Sequence, residues 1–185
     1  MFVTGSDAGQ NGDLNAAKAG VPDAAHSVPD PVKEAFACLP QGVFLMTSRY
    51  EDDRAGVLVH AVLEACEAPP MIVVAARKGH SIDPIIRDAR CFAIGLVKPD
   101  DRLILKRFRF ADTAASPRAE ASANDLFDPF PESSLVTGSP ILDRCPIWFD
   151  CQIARHVDLE AEYELFVGLV VGVRTPAGEI RLPGG

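Results

Sequence analysis

The sequence has no surplus of positive charge: 18 Lys and Arg stand against 26 Asp and Glu, a formal net charge of −8. Neutralising the phosphates of a nucleic acid needs a broad basic face, so a polyanion partner is excluded. Cations that do cluster locally point instead to a small anionic ligand. No apolar run reaches the ~18 residues of a membrane span. The first residues have neither the basic start nor the apolar core of a secretory leader, so a cytoplasmic protein without membrane contact is expected. GxGxxG is absent, as is GxxxxGK followed by Ser or Thr, and with them the common nucleotide-binding loops. Metal-ligand spacing is missing too: Cys145 and Cys151 are six positions apart, matching neither C-x-x-C nor a zinc knuckle. His60, Glu64 and Cys66 form no set with a second ligand pair, so no metal is expected. The five cysteines are odd in number, and Cys38, Cys66, Cys91, Cys145 and Cys151 read as reduced thiols of a cytosolic chain. Cys66 as a nucleophile would need His60 or His80 brought close as a base.

What is present is ordinary globular composition, 48% apolar and 24% charged over 185 residues, which suits one domain. Residues 1–29 are rich in Gly, Ala, Asp, Asn and Ser without apolar period and read as a disordered or loosely docked arm. The domain proper is expected over 30–182. It opens with Asp30 as a helix cap, Pro31 at the first helical position, and Val32, Ala35, Phe36 and Leu39 on one face. Strands are expected at 43–50 and 56–62, joined by the turn "EDDRA". Further strands are expected at 71–77 and 91–97, two continuous apolar runs of the kind covered on both faces. Ile82, Ile85 and Ile86 give the intervening "SIDPIIRDAR" a helical face, and "PDDRLILKRF" has the acid-first, base-last order favoured by the helix dipole.

Residues 111–138 have no period and read as a functional or flexible loop. In "WFDCQIARHVD", Phe149, Cys151, Ile153 and Val157 alternate with Asp150, Gln152 and His156, as in a half-exposed strand with His156 toward solvent. A long strand over 163–174 and a short edge strand at "GEIRL" complete the chain, and no internal repeat is visible. Hairpin-joined strands with a few short helices predict a mainly β fold, a small barrel decorated by helices, rather than a doubly wound sheet.

The chemistry gathers where the strand 71–77 ends. Arg77 and Lys78 follow directly on it, Gly79 permits an unusual turn, His80 adds a titratable donor, and Ser81 can cap the next helix. Free N–H groups at a helix start, flanked by two cations, make a phosphate seat; a solvated strand end with an ordinary cap is the plainer alternative. "KRFRF" at 106–110 is a second basic cluster, read first as a dipole-favoured helix end and only secondarily as a ligand contact.

The segments "LPQGVFLMTS", "GVLVHAVLEACEAPPMIVV", "RKGHSIDPIIRDARCFAIGLV", "RLILKRF", "GSPIL" and "IWFDCQIARHVDLEAEYELFVGLVVGV", in that order over about 39–174, resemble the flavin reductase-like, FMN-binding split-barrel family. Pro69-Pro70 opening the third strand, the run at 92–97 and "LFVGLVVGV" are its most specific marks. The resemblance implies a homodimeric split β-barrel that binds FMN, with FAD as an alternative, and passes hydride to it from NAD(P)H. A monooxygenase would be a further partner. It places the flavin ring against a loop from His60 to Cys66, and so implicates His60, Ala61, Ala65 and Cys66. The phosphate falls near Arg77, Lys78, His80 and Ser81. Flavin performs the electron transfer while the protein positions it, and no catalytic side chain is assigned.

Three departures from the family stand out. Leu58-Val59-His60 replaces Thr-Ala-Asn; Glu64-Ala65-Cys66 stands in the Ser-Val-Ser-Leu segment; Ala161-Glu162-Tyr163 replaces Gly-Asp-His. A carboxylate at Glu64 facing the ligand would repel phosphate, and Cys66 is a weaker donor than Ser. These departures keep open a non-catalytic split-barrel partner protein, flavin-binding or ligand-free, and a different phosphate-bearing ring cofactor. Phe127 and Phe130 in "FDPF" either cap a flavin ring or anchor their loop, and Trp148 is expected in the core or the dimer interface.

Overall fold

A computed structural model describes residues 30–109 and 126–183. After the opening helix α1 (Asp30–Ala37), five strands separated by one helix follow: β1 (Phe44–Tyr50), β2 (Asp53–Val59), β3 (Ala61–Cys66), β4 (Met71–Arg77), α2 (Ile82–Ala89) and β5 (Cys91–Leu96). Helix α3 (Arg102–Arg107), the short pair β6 (Glu132–Ser133) and β7 (Ile141–Leu142), and the long strands β8 (Trp148–Asp158) and β9 (Tyr163–Thr175) come next, with β10 (Gly178–Arg181) last. The expected arm 1–29 and residues 110–125, which include the first part of the loop expected over 111–138, lie outside the described residues. Among the described residues no helix is long and apolar enough to cross a membrane.

The main sheet is antiparallel throughout, in the order β2-β1-β5-β8-β9-β4-β3, with β10 alongside β9. Its first and last strands, β2 and β3, are consecutive in the chain and joined by His60 alone. The sheet must therefore curl until its two ends meet at that residue. It stays open in its hydrogen bonds, because β2 and β3 form no ladder.

Two cores flank the sheet. Inside the curl, Met46, Val57, Val59, Ile72, Val74, Phe92, Ile94 and Phe166 pack with Ile82 and Ile86 of α2. On the other face of β1, β5 and β8, Leu45, Ala93 and Trp148 pack with Ile104, Phe108, Phe127, Phe130, Ile141 and Leu142. Strand β5 is thus covered on both faces, which is why its sequence is a continuous apolar run. Phe127 and Phe130 anchor their loop: both rings pack on Phe108, at 5.2 and 5.7 Å between centroids.

Several expectations are corrected. The run 71–77 is not covered on both faces; Ile72, Val74 and Ala76 are buried while Met71, Val73 and Ala75 are half-buried. The strand expected over 56–62 breaks at His60, and 61–66 is a strand instead of a loop, paired with β4 from Ala61↔Ala75 to Cys66↔Met71. The "EDDRA" turn is tighter than its letters suggest, with Tyr50 already opposite Asp53. Asp150 is fully buried where alternation puts it outside. A register shift at Asp150/Cys151 turns it inward, where its carboxylate accepts from Val136 N, Thr137 N and Thr137 Oγ1 at 2.7, 2.8 and 2.5 Å.

Candidate functional site

The gap between the sheet's two ends is a cleft of about 560 Å³, within the usual range for small-molecule sites. Val57, Leu58 and Val59 of β2, Ala61 of β3 and Ala75 of β4 give it an apolar wall; Gln41, His60, Arg77, Arg109 and Tyr163 supply the polar groups. The geometry follows from the strands. Ala61 sits opposite Ala75, and Arg77, the last residue of β4, sits opposite Tyr163, the first of β9. Beyond β2 the edge is closed by Leu58 N donating to Phe108 O at 3.3 Å, which brings the chain after α3 and its Arg109 to the cleft. The "KRFRF" cluster therefore serves both of its readings: Lys106 and Arg107 end α3, and Arg109 lines the cleft. Helix α3 itself starts on Asp101, which accepts from Ile104 N at 3.1 Å and is clasped by Arg144.

Of the residues singled out from the sequence, His60, Ala61 and Arg77 meet in the cleft. Ala65 and Cys66 lie at the far end of β3, beyond the cleft's lining, and Glu64 is exposed on the same strand. The imidazole Nδ1 of His60 lies 3.1 Å from the Gly42 carbonyl oxygen.

Lys78 to Ser81 lead out of the cleft into α2, and here the donors have partners from within the chain. Arg77 pairs with Glu162 at 3.5 Å and Lys78 with Asp158; Lys78 N donates to Glu162 O at 2.8 Å. The amides of Gly79 and His80 both donate to Asp83 Oδ2, at 2.6 and 3.1 Å. Ser81 makes no side-chain cap bond; the Asp83 carboxylate instead ties down the two loop amides that precede the helix. The reason is steric: Gly79 adopts φ +79°, open to glycine at little strain, and folds the loop so that a carboxylate within the first turn reaches back to both amides. His80 is held neutral, its pKa lowered to about 4 by burial. A shallow depression bounded by Gly79, His80, Asp83, Pro84, Arg87 and Asp88 marks this corner on the surface.

Behind the loop lies a polar cluster that the sequence did not announce. Glu164 of β9 is fully buried, and its Oε2 meets His156 Nε2 at 2.6 Å and Arg87 at 3.7 Å. His156 is exposed, as its alternation leads one to expect, and one face of its ring stacks on Phe166 at 4.9 Å between centroids. Asp83 Oδ1 and Glu164 Oε1 meet no donor among the described residues. Desolvation first, and then the Glu164 charge, raise the Asp83 pKa, against the lowering effect of the Gly79 and His80 amides and of Arg87. Burial likewise pushes the Cys145 thiol up to about 12 and Cys151 well above its ordinary value, so neither is a thiolate at neutral pH. Among the described residues no group of His, Cys, Asp and Glu is arranged to hold a metal ion.

Fold and site together define a mainly β protein whose open antiparallel sheet carries a ligand-sized, partly cationic cleft between its end strands. The chain belongs to the flavin reductase like domain family, whose sequence profile matches residues 36–183. It is 25% identical over 142 residues to the FMN reductase (NADH) RutF of Bradyrhizobium diazoefficiens, covering 77% of this chain and 74% of that protein. The RutF protein of Enterobacter cloacae is 24% identical over 145 residues, covering 78% and 83%. Among solved structures, the Streptomyces globisporus C-1027 NADH:FAD oxidoreductase superposes with a TM-score of 0.66 at 16% identity, over 84% of this chain and 90% of that one. The styrene monooxygenase flavin reductase of Pseudomonas putida S12 gives 0.61 at 19% identity, over 78% and 85%.

Proposed function

We propose that this protein is an FMN-binding oxidoreductase of the flavin reductase type, passing hydride from NAD(P)H to flavin. The observation that carries this reading is the cleft at the sheet's ends: an apolar slot for a flat ring with Arg77 and Arg109 at its polar side. The donor set fits the cofactor. Val57, Val59, Ala61 and Ala75 offer a wall for an aromatic ring, Gln41, His60 and Tyr163 offer hydrogen bonds to ring heteroatoms, and the guanidinium groups suit a phosphate. Bound flavin supplies the two-electron chemistry; the protein orients the ring and screens it from water.

The phosphate would extend from Arg77 toward Lys78, His80 and Ser81. It would replace Glu162 and Asp158, carboxylates 65% and 58% exposed, as partners of the two cations; such exposed pairs contribute ~0–1 kcal/mol. Ala65 and Cys66 would act through the shape of β3. FAD, the flavin in the Streptomyces protein's name, is the alternative cofactor. A flavin-dependent monooxygenase is the further partner, as the name of the Pseudomonas reductase suggests.

The split barrel and the homodimer belong to the same proposal. Curling the sheet until β2 and β3 meet makes a barrel split at the cleft. Outside it, the register lines up Leu63 with Val73 and Val167, and Met71 with Leu169, in a band of apolar side chains. Leu63 is 58% exposed and Val157 43%. A second copy covering this band would bury β4 on both faces, as its apolar run leads one to expect. We place this unit at residues 30–182 and in the cytoplasm.

Thermal unfolding with and without FMN tests the binding. Ligand at 100–1,000 times its Kd stabilises by roughly 3–4 kcal/mol, a rise of about 5–16 °C in Tm at this size. A colourless protein whose Tm is unmoved by FMN would sink the proposal. The engagement of Arg77, Lys78, Gly79 and His80 by the chain's own acids favours a second reading, a non-catalytic barrel acting as a partner protein. Oxidation of NADH at enzyme-like rates in the presence of FMN excludes it.

A further inference from the structure

The residue that joins the sheet's two ends also presents a fixed chemical face to the cleft. His60 Nδ1 lies 3.1 Å from Gly42 O. A carbonyl oxygen only accepts, so Nδ1 carries the hydrogen, and in the neutral tautomer with that hydrogen Nε2 is the lone-pair acceptor. The backbone at Gly42 passes so close to the Phe44 ring that a Cβ there would collide with it. No other hydrogen bond to His60 forms among the described residues. The Gly42 contact thus favours one tautomer, and the remaining ring nitrogen, Nε2, belongs to a residue that lines the cleft.

The other polar side chains there have different abilities. Arg77 and Arg109 donate only, while Gln41 and Tyr163 both donate and accept, so either can turn to suit whatever arrives. His60 is the polar group whose role is decided before a ligand enters. We infer that His60 Nε2 accepts a hydrogen bond from the imide N–H of the ligand ring, making the cleft selective for a ring with an unsubstituted N–H between two carbonyls. This rests on the flavin reading, since the pyrimidine edge of isoalloxazine has that acceptor–donor–acceptor order. The flanking carbonyls need donors, which the Gln41 amide and the Tyr163 hydroxyl supply. Nothing in the apolar wall can replace an acceptor facing N–H, and an unmet N–H in a desolvated slot weakens binding.

The experiment compares FMN with FMN methylated at N3, titrated by quenching of flavin fluorescence against wild type, His60→Gln and His60→Phe. Wild type binds FMN at least ~10-fold more tightly than the N3-methyl analogue. His60→Gln, whose amide oxygen also accepts, retains much of that preference, and His60→Phe binds both flavins weakly and alike. Unchanged melting temperatures without ligand show that the variants are folded; a misfolded His60→Phe leaves the wild-type ratio to decide. Equal affinity of wild type for the two flavins overturns the inference while leaving the flavin reading intact. So does a His60→Phe protein that still discriminates. A wild type that binds neither flavin overturns both.

Discussion

Replacing Asp83 by Asn should stabilise the protein, and the gain should depend on pH. Asp83 Oδ2 accepts from two amides, while among the described residues its buried Oδ1 meets no donor, nor does one oxygen of a second buried carboxylate, Glu164, whose charge acts on it. Asn keeps one oxygen for Gly79 and His80 and turns the other position into a donor next to an acceptor. Relieving an unmet buried acceptor is worth about 1–3 kcal/mol. Against this, the carboxylate loses its attraction to the α2 N-terminus, about 0.3–1 kcal/mol, and its i,i+4 partner Arg87, about 0.2–0.5 kcal/mol. The net is about 1 kcal/mol in favour of Asn, or a Tm higher by about 2–4 °C.

The sign of the pH dependence follows from the raised folded pKa of Asp83. The folded state binds the Asp83 proton more tightly than the unfolded chain does. Wild-type stability from this group is therefore full below the ordinary carboxylate range and falls as pH rises through the raised folded value. Asn, which cannot ionise, escapes that loss. The two proteins should be equally stable in acid and separate toward neutral pH. Urea unfolding of both across that range is the assay. A constant difference at every pH, or an Asn variant less stable by more than about 1 kcal/mol at neutrality, would refute the reasoning.

Other substitutions probe the remaining parts. Arg77→Ala should weaken FMN binding by about 1–3 kcal/mol, read by isothermal titration, because a charge-assisted bond to phosphate is lost; Glu64→Ser, on an exposed position outside the cleft lining, should leave it unchanged. His156→Ala strips Glu164 of its 2.6 Å partner and should lower stability by about 1–3 kcal/mol in urea unfolding; an unaffected midpoint would mean that the Glu164 site tolerates the loss. Leu63→Lys on the exposed apolar band should convert a dimer to monomers by light scattering without lowering the stability of the monomer. A wild type already monomeric at micromolar concentration contradicts the proposed interface.

How far the sequence could be read depends on what each element's residues have to satisfy. Strands β4, β5 and β9 announce themselves because their apolar runs have no other low-energy use. Strand β3 does not: "AVLEAC" is Ala-rich, interrupted by Glu64 and irregular in register between Glu64 and Cys66, so its pattern is diluted. The buried Asp150 escaped for a related reason, since a bulge shifts the alternation and no residue marks it. At the candidate site, Arg77 and His60 were visible as residue types beside a strand end. Their partners were not, because Glu162, Asp158 and Gly42 come from distant positions that only the folded register brings near. Arg109 was hidden in a basic helix end; the bond from Leu58 to Phe108 carries it to the cleft.

Adding NADH anaerobically to the protein with FMN, while the flavin's visible absorption is followed, tests the flavin-reducing role of the cleft most directly. Rapid bleaching by wild type, slowed in Arg77→Ala at limiting flavin, is the predicted result. Bleaching no faster than in buffer, with FMN at saturating concentration, would contradict the claim that the cleft between β2 and β3 holds a flavin for reduction.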